Sequence, residues 1–133
     1  MMTKEEFLEK VNSEMTHILK PGDRRMLSLS AHDGVEEHHF IGQWLRNNWH
    51  LWEDGNEWVE FFNGNDIWHA DDMSGIIMAS YVRMLRKEEI KLDEQFQYYR
   101  DYWKKMKVDI KKDTIEGIAR MKAEIAVRDA GRT

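Results

Sequence analysis

Asp71-Asp72-Met73-Ser74-Gly75-Ile76-Ile77-Met78-Ala79-Ser80-Tyr81-Val82-Arg83-Met84-Leu85, residues 71–85, is the stretch that decides the fold. Met73, Ile76, Ile77, Tyr81, Met84 and Leu85 recur at helical spacing, and two aspartates open the run, where a helix N-terminus favours negative charge. The flanking sequence repeats the same period. Upstream, Phe40, Ile41, Trp44, Leu45, Trp49 and Trp52 form the stripe of a helix expected from near Asp33 to about Trp52, broken by Asp54-Gly55-Asn56. Between the two, Trp58, Val59, Phe61 and Phe62 suggest a short helix closed by Asn63-Gly64-Asn65. The two long stripes place Trp44, Leu45, Ile76, Ile77 and Tyr81 at the centre of one core, so Trp44→Ala is expected to cost about 3–5 kcal/mol.

Further out, Thr3-Lys4-Glu5-Glu6 has the form of a capping box. Phe7, Leu8, Val11, Met15, Ile18 and Leu19 then mark a first helix, stopped by Lys20-Pro21-Gly22. Residues 20–34 are the least regular stretch, with Met26, Leu27 and Leu29 able to pack as a short segment. After a charged turn at 86–91, Leu92, Phe96, Tyr99, Trp103, Met106 and Ile110 make a heptad-like seam. Asp113-Thr114-Ile115-Glu116 offers a second capping box, and a break or kink is expected near 112–114. Without a break, a helix from 93 to 129 would be roughly 55 Å long, more than so small a body covers. Ile115, Ile118 and Ile125 form a stripe offset from the seam. The expected fold is all-α, with five or six helices in one domain over residues 1–133. It comprises a compact body at about 1–90 and a helical arm at about 92–129.

Composition fits that architecture. In 133 residues there are a single proline and eight glycines, too little turn punctuation for an all-β chain of this length. Charged residues make up 34% and apolar residues 41%, a mix suited to helices with one wet face. Cysteine is absent, which rules out disulfides, thiolate metal sites and a cysteine nucleophile, and a cytoplasmic location is the expectation. Glu5, Glu6, Glu9 and Glu14 would interrupt the apolar stretch of a signal peptide, and no apolar run approaches a membrane span. The formal net charge of -5 hides an asymmetry. Residues 1–103 carry 11 Lys or Arg against 20 Asp or Glu, and residues 104–133 carry 9 against 5. An acidic body therefore adjoins a basic tail.

Two segments act as a pair. Phe40-Ile41-Gly42-Gln43-Trp44-Leu45-Arg46-Asn47-Asn48-Trp49-His50-Leu51-Trp52 is followed by Ile67-Trp68-His69-Ala70-Asp71-Asp72-Met73-Ser74-Gly75-Ile76-Ile77. Together they resemble an uncharacterised bacterial domain family with a Trp-Ile/Leu-Arg-Asn-x-x-x-Leu-Trp segment and a His-Pro-Asp-Asp-Met-Ser segment. The resemblance covers about residues 40–86 and implies a bacterial or phage origin, with no activity, cofactor or catalytic residue to carry over. Ala70 stands where that family usually has proline, a residue pre-organised for a first helical position, so its loss costs rigidity and no evident chemistry.

Few constellations carry chemistry. Arg46, His69, Asp71 and Asp72 make the densest polar cluster. An imidazole beside two carboxylates can hold a divalent metal or act as a general base. The same residues can equally form a helix start whose acids cap free N–H groups, with Arg46 salt-bridged to an acid near Asp71. The second of these is the expectation. Glu36 and His39 share a helical face as metal-ligand pairs do, but no second Glu-x-x-His occurs in the chain. No His-Glu-x-x-His, phosphate loop or nucleophile elbow occurs either. No catalytic residue, metal ligand or cofactor is therefore assigned.

The aromatic content points elsewhere. Six tryptophans are more than so small a core absorbs easily, and Trp and Tyr are enriched at binding hot spots. Trp49, Trp58, Trp68, Tyr99, Trp103, Ile118 and Ile125 are the candidate contact residues. Lys104, Lys105, Lys107, Lys111, Lys112, Arg120, Lys122 and Arg128 lie in or near the tail. They are interrupted by Asp109, Asp113, Glu116 and Glu124, and the acidic body repels phosphate, so nucleic-acid binding is not expected. The sequence reads best as a non-catalytic protein-interaction module, with an inhibitor, immunity or anti-defence role. Its partner would be another protein or a second copy, and not a membrane. A metal-assisted enzyme centred on His69, Asp71 and Asp72 and a homo-oligomeric structural helical protein are the alternatives.

Overall fold

The computed structural model describes residues 1–30, 33–34 and 38–131. Among them the chain is helical throughout, with seven helices where five or six were expected: α1 (Lys4–Ile18), α2 (Pro21–Ser28), α3 (His38–Asn48), α4 (Glu57–Gly64), α5 (Ala70–Leu85), α6 (Leu92–Lys105) and α7 (Ile110–Ala130). The added helix is α2, since residues 21–28 complete a helix of their own, while the expected C-terminal break is present but shifted. Glu36 and Glu37, and with them the Glu36–His39 pair, lie outside the described residues.

α1 begins with the capping box foreseen in its sequence. The Thr3 hydroxyl accepts from the Glu6 N–H at 3.1 Å, and the Glu6 carboxylate accepts from the Thr3 N–H at 3.1 Å. Pro21 sits in the first turn of α2, where its missing N–H costs nothing.

α5 is the axis of the body, packing against α1, α2, α3 and α6. Contact on several sides explains why it buries Ser74, Met78, Ser80 and Val82 in addition to the stripe read from its period. Leu45, Ile76, Ile77 and Tyr81 are fully buried. Trp44, expected at the centre with them, is instead 43% exposed, as is Phe40 at 77%. α3 turns Ile41 and Leu45 inward, and Phe40 and Trp44 sit about 100° away around the helix, on its wet side. Trp44→Ala accordingly loses its expected core-sized penalty.

The place assigned to Trp44 is taken by aromatics of α1 and α4. Phe7 stacks on Phe61 at a centroid distance of 4.3 Å and meets Phe62 and Trp58 edge-on at 5.3 and 5.9 Å. Trp49 stacks on Trp58 at 4.4 Å. Trp58, a candidate surface contact, is thus only 7% exposed.

Four helices end in one way. His50, Asp66, Lys87 and Lys107 each adopt a left-handed backbone just past a helix, with φ of 55°, 61°, 57° and 58°. The next residue's N–H then reaches back five positions: Leu51 to the Arg46 carbonyl, Ile67 to Phe62, Glu88 to Arg83 and Val108 to Trp103. This is the Schellman ending, here built without its customary glycine. Gly34 shows where glycine is required. Its φ is +81°, and a Cβ there would sit 3.2 Å from Val82 Cγ2 and 3.3 Å from Met78 Cε.

The C-terminal part departs most from expectation. The break falls at Met106–Asp109 and not near 112–114. Asp109 caps α7 by accepting from the Lys112 N–H at 3.1 Å, and Asp113 lies inside the helix. α6 joins the body, burying Leu92 and Phe96 in the core. The arm is therefore α7 alone.

Candidate functional site

The N-terminus of α5 gathers the predicted polar cluster. His69 is the N-cap residue, and its Nδ1 accepts from the Asp71 N–H at 3.0 Å. A neutral imidazole accepting at Nδ1 carries its proton on Nε2. The Asp71 carboxylate pairs with Arg46 Nε at 3.1 Å, while Arg46 Nη1 donates to the Ser74 hydroxyl at 3.0 Å. Arg46 thereby ties α3 to the first turn of α5, the link anticipated from sequence. Because Asp71 is more than half exposed, that pair contributes little by itself.

Asp72 has a different setting. It is 7% exposed, and its Oδ2 accepts from the Trp103 indole N–H at 2.8 Å. Burial raises its pKa above the ordinary carboxylate value, an effect the Trp103 hydrogen bond and the nearby His69 oppose. Tyr99 lies on the same side, its phenol pushed up to about 12 by burial first and by the charge of Asp72 second. His69 lies over the Trp103 ring at 5.8 Å and meets the edge of Trp52 at 5.6 Å. Arg46, His69, Asp71 and Asp72 are thus brought together as the sequence suggested, and Trp103 proves to be the hydrogen-bond donor to Asp72. No spacing rule announces that role, because Trp103 comes from α6, 31 positions away.

Chemically, the cluster joins helices. His69 Nδ1, both carboxylates and Arg46 are each engaged with a protein partner. Among the described residues, no three His, Asp, Glu or Cys side chains gather as a metal site would require.

A cleft of about 620 Å³ opens beside the cluster, between the body and α7. Trp52, Trp68, His69 and Met73 line one wall, and Ile110 and Ile118 line the other. Two polar contacts hold α7 across it. Lys111 Nζ lies 5.2 Å from the centroid of the Trp68 ring, and Lys122 Nζ bonds the Asp54 carboxylate at 3.0 Å. The Lys122 hydrogen bond is also the main cause holding the Asp54 pKa below its ordinary value.

The candidate contact residues separate here. Trp49 and Tyr99 pack against the core, and Trp58 is buried. Trp68, Trp103 and Ile118 are half-buried, with the Trp68 indole donating to Asp66 at 2.6 Å. Ile125 remains exposed at 44%. Sequence reasoning missed several exposed apolar residues: Phe40, Trp44, Tyr98, Tyr102, Met121 and Val127. The signal was present in the helical phase, since Tyr98 and Tyr102 sit one turn apart and beside the seam of α6.

The body is thus a small helical domain built on a central helix and fixed by an Arg–Asp–His cluster at that helix's start. Residues 6–85 match a domain of unknown function, DUF6794, and the chain belongs to that family. The matched span takes in α1 to α5, and α6 and α7 lie beyond it. No curated protein and no solved structure matches the chain. Among the described residues, no helix is long and apolar enough to cross a membrane.

Proposed function

We propose that this protein is a non-catalytic interaction module whose contact element is α7. One observation carries the reading. α7 runs for 21 residues and buries none of them, while Ile115, Met121, Ile125 and Val127 stay 40% exposed or more. Helices draw most of their stability from packing an apolar face, so a long helix carrying unpacked isoleucine, methionine and valine is suited to docking on another protein. An inhibitor, immunity or anti-defence role in a bacterial or phage cytoplasm fits this arrangement: a compact acidic body presents one separable helix. The polar cluster at the start of α5 supports the reading from the other side, because its side chains hold helices to each other.

A photo-crosslinking residue at Val127, in the far turns of α7, tests the proposal in cells of the native host. The expected product is one discrete protein adduct, either a dimer of the chain or a single heterologous partner. The same residue at exposed Asn12 on α1 should give none. Equal labelling at both positions, or no adduct at Val127, would contradict the proposal.

A further inference from the structure

We infer that the cleft beneath α7 binds a small hydrophobic molecule carrying a primary ammonium group. This site shares Ile115 and Met121 with the face of α7 proposed as a protein contact, but ligand binding is measured on the isolated chain, so either reading can stand without the other. The volume of about 620 Å³ lies within the usual range of small-molecule sites. The walls are mainly apolar and aromatic, so the bulk of a ligand there has to be hydrocarbon or ring. The charge of the lining selects the head group. Glu53, Asp54 and Asp113 contribute three carboxylates, and no lysine or arginine is among the described lining residues. Lys122 already pairs with Asp54, and Lys111 and Lys122 stand at the rim, so the preference for a cation rests on Glu53 and Asp113.

Two contacts within the chain point to the same cation. Lys111 places its ammonium over the Trp68 ring, and Lys122 places its own on Asp54. The rim thus pairs an aromatic face with a carboxylate, the combination that recognises ammonium groups, and the chain's own lysines occupy both. A ligand ammonium would compete for these groups, and its N–H donors also suit a wall that includes Asn63, whose Oδ1 is buried without a hydrogen-bond partner.

Gly117 supplies a clean test. It lines the cleft from α7, lies within the helix, and a Cβ there would meet nothing within 4 Å. Gly117→Leu therefore fills the cleft while improving helix propensity, so loss of binding is not confused with unfolding. The full-length chain is titrated at neutral pH with octylammonium, octyl sulfate and 1-octanol, each below its micelle concentration. Amide and indole NMR shifts of Trp52, Trp68, Thr114 and Gly117 are followed. Octylammonium should give saturable shifts at these residues and bind at least about tenfold more tightly than octyl sulfate, with 1-octanol between them. Gly117→Leu should weaken octylammonium by about tenfold or more without lowering the melting midpoint. Three results would each overturn the inference: no saturable shift, octyl sulfate binding as tightly as octylammonium, or unweakened binding to Gly117→Leu.

Discussion

Phe7→Ala lowers the stability of this protein by about 3–5 kcal/mol, a fall in melting midpoint of roughly 10–20 °C for a chain of this size. Phe7 is fully buried and is the residue on which the aromatic cluster turns, touching Trp58, Phe61 and Phe62. Its removal leaves a cavity whose walls belong to α4, a helix of eight residues with little capacity to stay in place alone. Stacked and edge-on ring contacts add to the loss beyond buried area. A melt followed by circular dichroism measures it. Trp44→Ala serves as the contrast, since that exposed tryptophan should cost below about 1 kcal/mol. Equal penalties for the two variants would mean that the core is centred on α3, as the sequence pattern first suggested.

Trp103→Phe is the second large effect, expected at about 2–3 kcal/mol at neutral pH, because it removes one N–H and leaves a buried carboxylate without that donor. The pH dependence identifies the cause. Burial raises the folded-state pKa of Asp72, so the native chain binds its proton more tightly than the unfolded chain does. Asp72 is therefore neutral and cheap to bury at low pH, and its contribution turns unfavourable as pH rises from the ordinary value of about 3.9 through the folded value. The indole N–H lowers that folded value and so offsets part of the cost. Trp103→Phe raises it further, so its penalty should be full at neutral pH, shrink as pH falls through the two folded values, both above the ordinary one, and be largely gone below about pH 4. Asp72→Asn, which removes the charge and keeps an acceptor, should raise stability at neutral pH and lose that advantage in acid. Urea titrations from pH 3 to 8 measure both. A Trp103→Phe penalty independent of pH would show that only indole packing had been lost.

Much of the architecture is legible in the residues, and where it is not, the reason is local. The first helix announces itself by a hydroxyl, a carboxylate and a proline in fixed places, and its bounds follow. Helix endings are harder to read. His50, Asp66, Lys87 and Lys107 take the left-handed position that glycine usually marks, so α3 ends before Trp52 and the seam is cut at Met106. The capping box at Asp113 is a sound local signal, but Lys107 has already turned the chain and Asp109 has capped the new helix. Phase was the other difficulty. With Phe40, Ile41, Trp44 and Leu45 all apolar, the sequence does not say which pair faces inward, and size favours the tryptophan. Packing against α5 selects Ile41 and Leu45 instead. In the polar cluster, the Arg46–Asp71 link follows from charge. The Trp103–Asp72 bond depends on α6 folding back beside α5, and no local pattern encodes that.

α7 is expected to be an element that the body does not need. Thermal melting of a chain ending at Val108, which keeps the Schellman ending of α6, tests this most directly. Since α7 buries no residue and is held by two solvent-accessible contacts, its loss should cost below about 1 kcal/mol, and the midpoint should stay within a few degrees of the full chain's. If the shortened chain instead unfolds, or melts 10 °C or more below the full chain (about 2 kcal/mol), α7 is part of the core and the interaction reading fails.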